Sequence, residues 1–217
     1  VAYETFPLTA ENDFLPDLDA IPEETACRAK FIYINYPNNP TGAVATKAFY
    51  EKLVAWAKTY EVGVVSDLAY GALGYRGYEN PSFLSTPGAK DVGVEFYTFS
   101  KTFNMAGWRL AFAAGNDQMI EALNLIQDHL FVGIFPALQE AGIAALLDPK
   151  SEEVVAQLNA TYDSRRDAFV QAAAKIGWKA FPSKGSFYAW MPVPEGYTSE
   201  SFADLLLEKA HVAVAPG

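Results

Sequence analysis

The 217-residue chain holds one cysteine, Cys27, and two histidines, His129 and His211. A lone thiol forms no internal disulfide. With no second histidine, cysteine or carboxylate at ligand spacing, no metal site is expected; both histidines read as structural and Cys27 as inert. Basic runs are also missing: 16 Lys and Arg stand against 26 Asp and Glu, a formal net charge of −10. A nucleic-acid or anionic-membrane surface needs clustered cations, so neither partner is expected. No apolar stretch approaches the roughly 20 residues of a membrane span, none resembles a signal peptide, and no repeat or low-complexity tract occurs. These absences make the cytoplasm the expected compartment.

The 51% hydrophobic content is ample for a buried core in one large domain or two small ones. Phe31–Asn35 is a short apolar run closed by Asn and Pro, residues 47–60 repeat apolar side chains at helical spacing, and Val62–Val65 is a second strand. This predicts a βαβ unit. Strands at Val94–Thr98 and Leu110–Ala114 and a helix over 117–130 extend it into an α/β fold, a mainly parallel sheet with flanking helices. Residues 151–175 read as one amphipathic helix with Val154, Val155, Leu158, Tyr162, Phe169, Ala172 and Ala173 on its apolar side. Strands at Trp178–Phe181 and Ser186–Met191, a helix at Ser201–Lys209 and a strand at His211–Ala215 then predict a smaller, partial α+β domain. The expected division is 1–148 for the large domain and 149–217 for the interdomain helix and small domain.

Parallel sheets bind ligands at strand C-terminal ends, and three chemically pointed segments follow strands here. Asn39-Pro40-Thr41-Gly42 follows the first, Ser66-Asp67-Leu68-Ala69-Tyr70 the second, and Thr98-Phe99-Ser100-Lys101 the third, with Arg109 eight positions beyond Lys101. An amide, a carboxylate, a phenol, an amine and a guanidinium emerging together outline a pocket for pyridoxal phosphate: an amine for a Schiff base, an acid opposite the ring nitrogen, donors to the ring oxygen and a clamp on phosphate. Singly each has a plainer reading. Lys101 and Arg109 could be solvated charges, Asp67 a turn cap, Asn39 part of an Asn-Pro turn and Tyr70 packing. Tyr36 and Trp108 are weaker candidates for pocket walls. Gly71–Gly77 lacks the GxGxxG order of a dinucleotide loop, and Arg165-Arg166 reads as a solvated helix face.

The run from Tyr36 to Lys47, the segment from Phe99 to Met105, and Gly185-Ser186-Phe187-Tyr188-Ala189-Trp190 resemble the class I/II aminotransferases of pyridoxal-phosphate fold type I, most of all the LL-diaminopimelate aminotransferase type. The resemblance covers essentially the whole chain and implies an aminotransferase exchanging an amino group between an amino acid, of diaminopimelate, aspartate or aromatic type, and a 2-oxo acid such as 2-oxoglutarate. It implies Lys101 as Schiff-base and proton-transfer lysine, Asp67 against the pyridine nitrogen, Asn39 and Tyr70 on the ring oxygen, and Thr98, Ser100 and Arg109 on phosphate. Thr98 stands where the family often has serine. The resemblance also implies a homodimer, and it makes the chain a fragment whose upstream part carries a phosphate loop and a stacking aromatic and whose downstream tail carries a carboxylate-binding arginine; the chain alone is then expected to hold cofactor poorly. A pyridoxal-phosphate C–S lyase of cystathionine type and a non-catalytic effector-binding module are the competing expectations.

Overall fold

In the order of the chain, strands β1 (Phe31–Asn35), β2 (Gly63–Asp67), β3 (Gly93–Thr98) and β4 (Ala111–Gly115) form one sheet of order β1-β2-β3-β4. The computed structural model describes residues 2–181 and 183–217. Its helices are α1 (Glu23–Arg28), α2 (Lys47–Tyr60), α3 (Ala89–Val92), α4 (Phe99–Thr102), α5 (Asp117–Leu130), α6 (Pro136–Leu147), α7 (Ser151–Lys175) and α8 (Ser199–Ala210). β1 with β2 and β2 with β3 run parallel, whereas β4 returns antiparallel to β3. The β3–β4 connection does not cross the sheet; the Phe99 N–H donates to the Leu110 carbonyl at 3.2 Å and folds the chain back beside its own strand. The sheet is therefore mixed, with the expected parallel part at β1 to β3.

Helix α2 starts where Thr46 accepts the Phe49 N–H at 3.1 Å and stops at Glu61, which takes the left-handed conformation of a C-cap. Phe49, Tyr50, Leu53, Val54 and Ala57 recur at helical spacing and are buried. They pack on Ile32, Ile34 and Val64, the residues that alternate onto one face of β1 and β2. Glu95 lies in this core, where its carboxylate accepts from the Ser66 hydroxyl (3.0 Å), the Phe83 N–H (2.8 Å) and the Ser82 hydroxyl. Buried carboxylates need such donors, and these three tie β2, β3 and the 82–83 turn together one residue before Asp67. The opposite face of the sheet is more open: Phe31 and Tyr33 are 60% and 66% exposed.

Helix α6 had no forecast in the sequence. It opens on Pro136 at its first position and is apolar nearly all round, so no 3.6-residue period marks it. Helix α7 has the forecast bounds, and Val155, Leu158, Tyr162 and Ala173 of the forecast stripe are at least partly buried. Val154, Phe169 and Ala172 are exposed, while Asn159, Asp163 and Arg166 join the partly buried side. Arg166 is thus not on a solvated face. Its side chain is 12% exposed, pairs with Asp163 and Asp167, donates to the Ser183 carbonyl (3.1 Å) and lies 4.8 Å over the Tyr75 ring. Asp167, bonded to Arg166 and Arg76, is held below the usual carboxylate range by those guanidiniums. The long stem of an arginine can bury while its head stays paired, a property that composition does not reveal.

The strands forecast at Trp178–Phe181, Ser186–Met191 and His211–Ala215 do not form ladders among the described residues. The first two segments share one long hydrogen bond, from the Phe181 N–H to the Trp190 carbonyl at 3.4 Å, and an isolated two-stranded ribbon has little stability of its own. His211 takes a left-handed conformation and caps α8 instead of opening a strand. What holds the 183–188 segment is the body of the protein. Gly74 bridges Gly185, the Tyr75 N–H donates to the Lys184 carbonyl (3.1 Å), the Tyr75 hydroxyl donates to the Ser186 carbonyl (2.5 Å), and the Ser186 N–H donates to the Leu73 carbonyl (3.3 Å).

Candidate functional site

The three strand ends that carry chemistry lie side by side because β1, β2 and β3 are neighbours in register. Asn35 faces Asp67 across the β1–β2 pair, and Asp67 faces Phe96 across β2–β3. Asn35 was not among the residues singled out in the sequence, yet it buckles two of them. Its amide donates to the Asp67 carbonyl at 3.0 Å, and its side-chain oxygen accepts the Asn39 N–H at 2.8 Å. An amide closing an otherwise apolar strand was the available signal. Replacing it with Ala removes both bonds and should lower stability by about 1–3 kcal/mol, measured as a lower denaturant midpoint at unchanged slope.

Asp67 is half-buried, and one of its oxygens accepts the Ala69 N–H at 3.1 Å. Burial pushes its carboxyl above the usual range, and that hydrogen bond pulls the other way. Tyr70 is buried, with its phenol between the Asn39 side chain and the Tyr188 hydroxyl, to which it donates at 3.3 Å. Desolvation, followed by the Tyr188 contact, raises this phenol far above the ordinary tyrosine value. Lys101 lies in the last turn of the four-residue helix α4, and its amine sits 5.9 Å from the Tyr70 ring centre and 5.4 Å from that of Phe187. Among the described residues no carboxylate pairs with it. The amine is held by aromatic faces and kept free of a competing anion.

Thr98 is the N-cap of α4. Its hydroxyl accepts the Ser100 N–H (3.1 Å) and lies 2.9 Å from the Ser100 hydroxyl and 3.3 Å from the Leu110 carbonyl. Two hydroxyls and the first amides of a helix therefore share one corner, an arrangement suited to anions. Arg109 neighbours that corner through Leu110, but its exposed guanidinium donates to the Ala106 carbonyl at 3.1 Å, within its own turn. The structure thus brings together Asn39, Asp67, Tyr70 and Lys101, places Thr98 and Ser100 beside Lys101, and sets the Arg109 head apart from both hydroxyls.

Phe187 and Tyr188 belong to the site although the sequence reading left them out of it. The Tyr70 ring meets Phe187 and Tyr188 edge-on, at 5.4 and 5.8 Å between centres, and Tyr162 of α7 stacks on Phe187 at 5.3 Å. Tyr36, by contrast, is a core residue that donates to the Phe14 carbonyl at 2.6 Å and meets Phe49 edge-on, and Trp108 is exposed. A cavity of about 830 Å³ is an apolar space between the open sheet face and α5, lined by Phe31, Tyr33, Phe96, Met119 and Ile126. It lies apart from the amine.

The model for aminotransferase class I and II matches residues 1–217. The chain belongs to that family. The chain is 56% identical over 214 residues to L-glutamine--4-(methylsulfanyl)-2-oxobutanoate aminotransferase of Bacillus subtilis, covering 99% of this chain and 53% of the relative. It is 51% identical to LL-diaminopimelate aminotransferase of Moorella thermoacetica, with 97% and 54% covered. Among solved structures, substrate-bound BacF from Bacillus subtilis superposes with a TM-score of 0.92 at 48% identity, covering 97% of this chain and 53% of that one. The chain spans about half the length of the relatives it matches. Its neighbours are fold type I aminotransferases, and the family is pyridoxal-phosphate dependent. The site fits that group: a partly desolvated carboxylate and an amine that have no ion-pair partner among the described residues, and a phenol beside an amide.

Proposed function

We propose that the protein containing this chain is a pyridoxal-phosphate-dependent aminotransferase moving an amino group between an amino acid and a 2-oxo acid. The observation that carries this reading is the convergence of Asp67, the Asn39–Tyr70 pair and Lys101 at three adjacent strand ends. When bound, the cofactor supplies an electron sink for negative charge at the substrate Cα. Lys101 is the amine that anchors it and then, once free, moves the proton at that carbon. Asp67 keeps a proton on the ring nitrogen, for which its desolvated carboxylate is suited. Asn39 and Tyr70 are the donors for the ring oxygen. Thr98, Ser100 and Arg109 take the phosphate, Arg109 by turning its planar fork from the Ala106 carbonyl.

The relatives support glutamine with 4-(methylsulfanyl)-2-oxobutanoate as the first pair to try and LL-diaminopimelate as the second. That both are named aminotransferases favours transamination over C–S cleavage or a silent effector module. We further propose the cytoplasm, a homodimer in the complete protein, and the division at residues 148 and 149 into a cofactor-binding part and a smaller part. Among the described residues no helix is long and apolar enough to cross a membrane.

The test is the visible spectrum of the complete protein with added pyridoxal phosphate, before and after an amino donor. A band that glutamine or LL-diaminopimelate bleaches, with stoichiometric 2-oxo acid released, is the expected result. A band untouched by any amino acid, or bleaching with release of a thiol and ammonia, overturns transamination.

A further inference from the structure

We infer that Tyr188 is a positioning residue for Tyr70: its hydroxyl takes up the Tyr70 phenolic proton and so governs how readily that phenol can donate elsewhere. The inference rests on the cofactor-site reading of Tyr70 above.

A phenol has one proton and two lone pairs. The Tyr70 oxygen is flanked by two side chains from distant parts of the chain, and they act on it in opposite senses. Asn39, on the loop after β1, sets its side-chain amide beside it and favours the phenolate. Tyr188, on the segment 118 residues further on, accepts from it at 3.3 Å and favours the neutral phenol. With its proton given to Tyr188, Tyr70 can only accept from any other donor. When that contact opens, the same proton is released to a new acceptor with no change in the Tyr70 ring. The other charged groups facing Tyr70 are Asp67, which also favours the neutral phenol, and the Lys101 ammonium 5.9 Å from its ring centre.

The placement of Tyr188 is built. Gly185 bridges Gly74, the Ser186 hydroxyl accepts the Tyr188 N–H at 3.2 Å, and the Ser183 hydroxyl donates to the Gly42 carbonyl at 3.0 Å. The Tyr188 ring lies edge-on to Tyr70 and 5.0 Å from Phe187, whose other side is stacked on Tyr162. The segment that delivers Tyr188 is thus anchored to the loops on both sides of the site, and any displacement of it is read directly by the Tyr70 proton.

Tyr188→Phe keeps the ring packing and deletes only the acceptor. In the cofactor-free chain carrying 13Cζ-tyrosine, with the Tyr70 resonance assigned by its loss in Tyr70→Phe, ionisation of Tyr70 should begin at least about half a pH unit lower in Tyr188→Phe than in wild type, a shift of the size that one hydrogen bond produces. Tyr162→Phe, which deletes a hydroxyl one ring further out, should leave that onset in place. An onset identical in wild type and Tyr188→Phe, or one that Tyr162→Phe moves equally, overturns the inference. With pyridoxal phosphate bound, the pH at which the Lys101-dependent band changes should also move in Tyr188→Phe and stop moving when Tyr70 is already Phe. A shift that survives in the double variant counts against the inference. If no Lys101-dependent band forms in the complete wild-type protein, the cofactor reading fails while the resonance titration still decides the role of Tyr188.

Discussion

Lys101→Ala abolishes the visible band with pyridoxal phosphate and lowers transamination by on the order of 10⁴-fold or more, because one side chain supplies both the anchoring amine and the proton carrier. The fold should survive the change. Ala is the best helix former, Lys101 has no ion pair among the described residues, and its contacts are the faces of Tyr70 and Phe187. Loss of the band with an unchanged thermal midpoint is therefore the expected pairing of results. A small primary amine added to Lys101→Ala should restore part of the proton transfer, since the cavity left is the volume of the missing side chain. A variant that keeps the wild-type band would assign the amine to another lysine and remove the centre of the proposed site.

Asp67→Asn separates function from stability. The folded-state carboxyl is raised above its unfolded value by burial. A group raised in this way favours the folded state fully below its unfolded pKa and loses that contribution as pH rises through the folded value. At neutral pH the ionised Asp67 is thus a small burden on the cofactor-free fold, discounted because the side chain is only half-buried. Asn keeps the acceptor for the Ala69 N–H and carries no charge. Its thermal midpoint at pH 7 should equal or exceed that of wild type, and stability should depend less on pH just above the ordinary carboxylate range. Turnover should fall by roughly 10²–10³, the usual loss when a charge aimed at the reacting system is removed. A variant with lower stability and intact turnover would make Asp67 a structural cap.

The legible parts of the fold were those with a local signal. Strands β1 and β2 announce themselves as short apolar runs and helix α2 by 3.6-residue spacing, and the residues after each strand name the chemistry. What stayed hidden has no period or depends on distant partners. The return of β4 beside β3 is decided by a hydrogen bond from Phe99 to Leu110, α6 is apolar on every side, and the strand-like runs after Trp178 find no ladder. In the site, Lys101, Asp67, Tyr70 and Asn39 were readable because each follows a strand. Asn35 was passed over because it lies inside one. Phe187 and Tyr188 were noted as likeness but not as site, since their neighbours are 118 residues away. Arg166 was misplaced because a charged side chain on a helix gives no sign of facing inward until its carboxylates and Tyr75 are in place.

The loops that grip the C-terminal segment do so largely through main-chain atoms. Gly42 offers its carbonyl to Ser183, Ala72 its carbonyl to Asn159, and Leu73 its carbonyl to both Ser186 and Asn80. A main-chain carbonyl is the same whatever side chain hangs beside it, so substitutions at positions 72 and 73 can accumulate without loosening the grip, provided they still pack. Gly42 has no such latitude. Its φ of +70° lies in the left-handed region, and an added Cβ would meet the Ser183 hydroxyl at 2.6 Å. The joint can therefore change its side chains at positions 72 and 73 while its glycines stay fixed, since a Cβ on Gly74 would meet the Tyr78 carbonyl and one on Gly185 the Leu73 carbonyl.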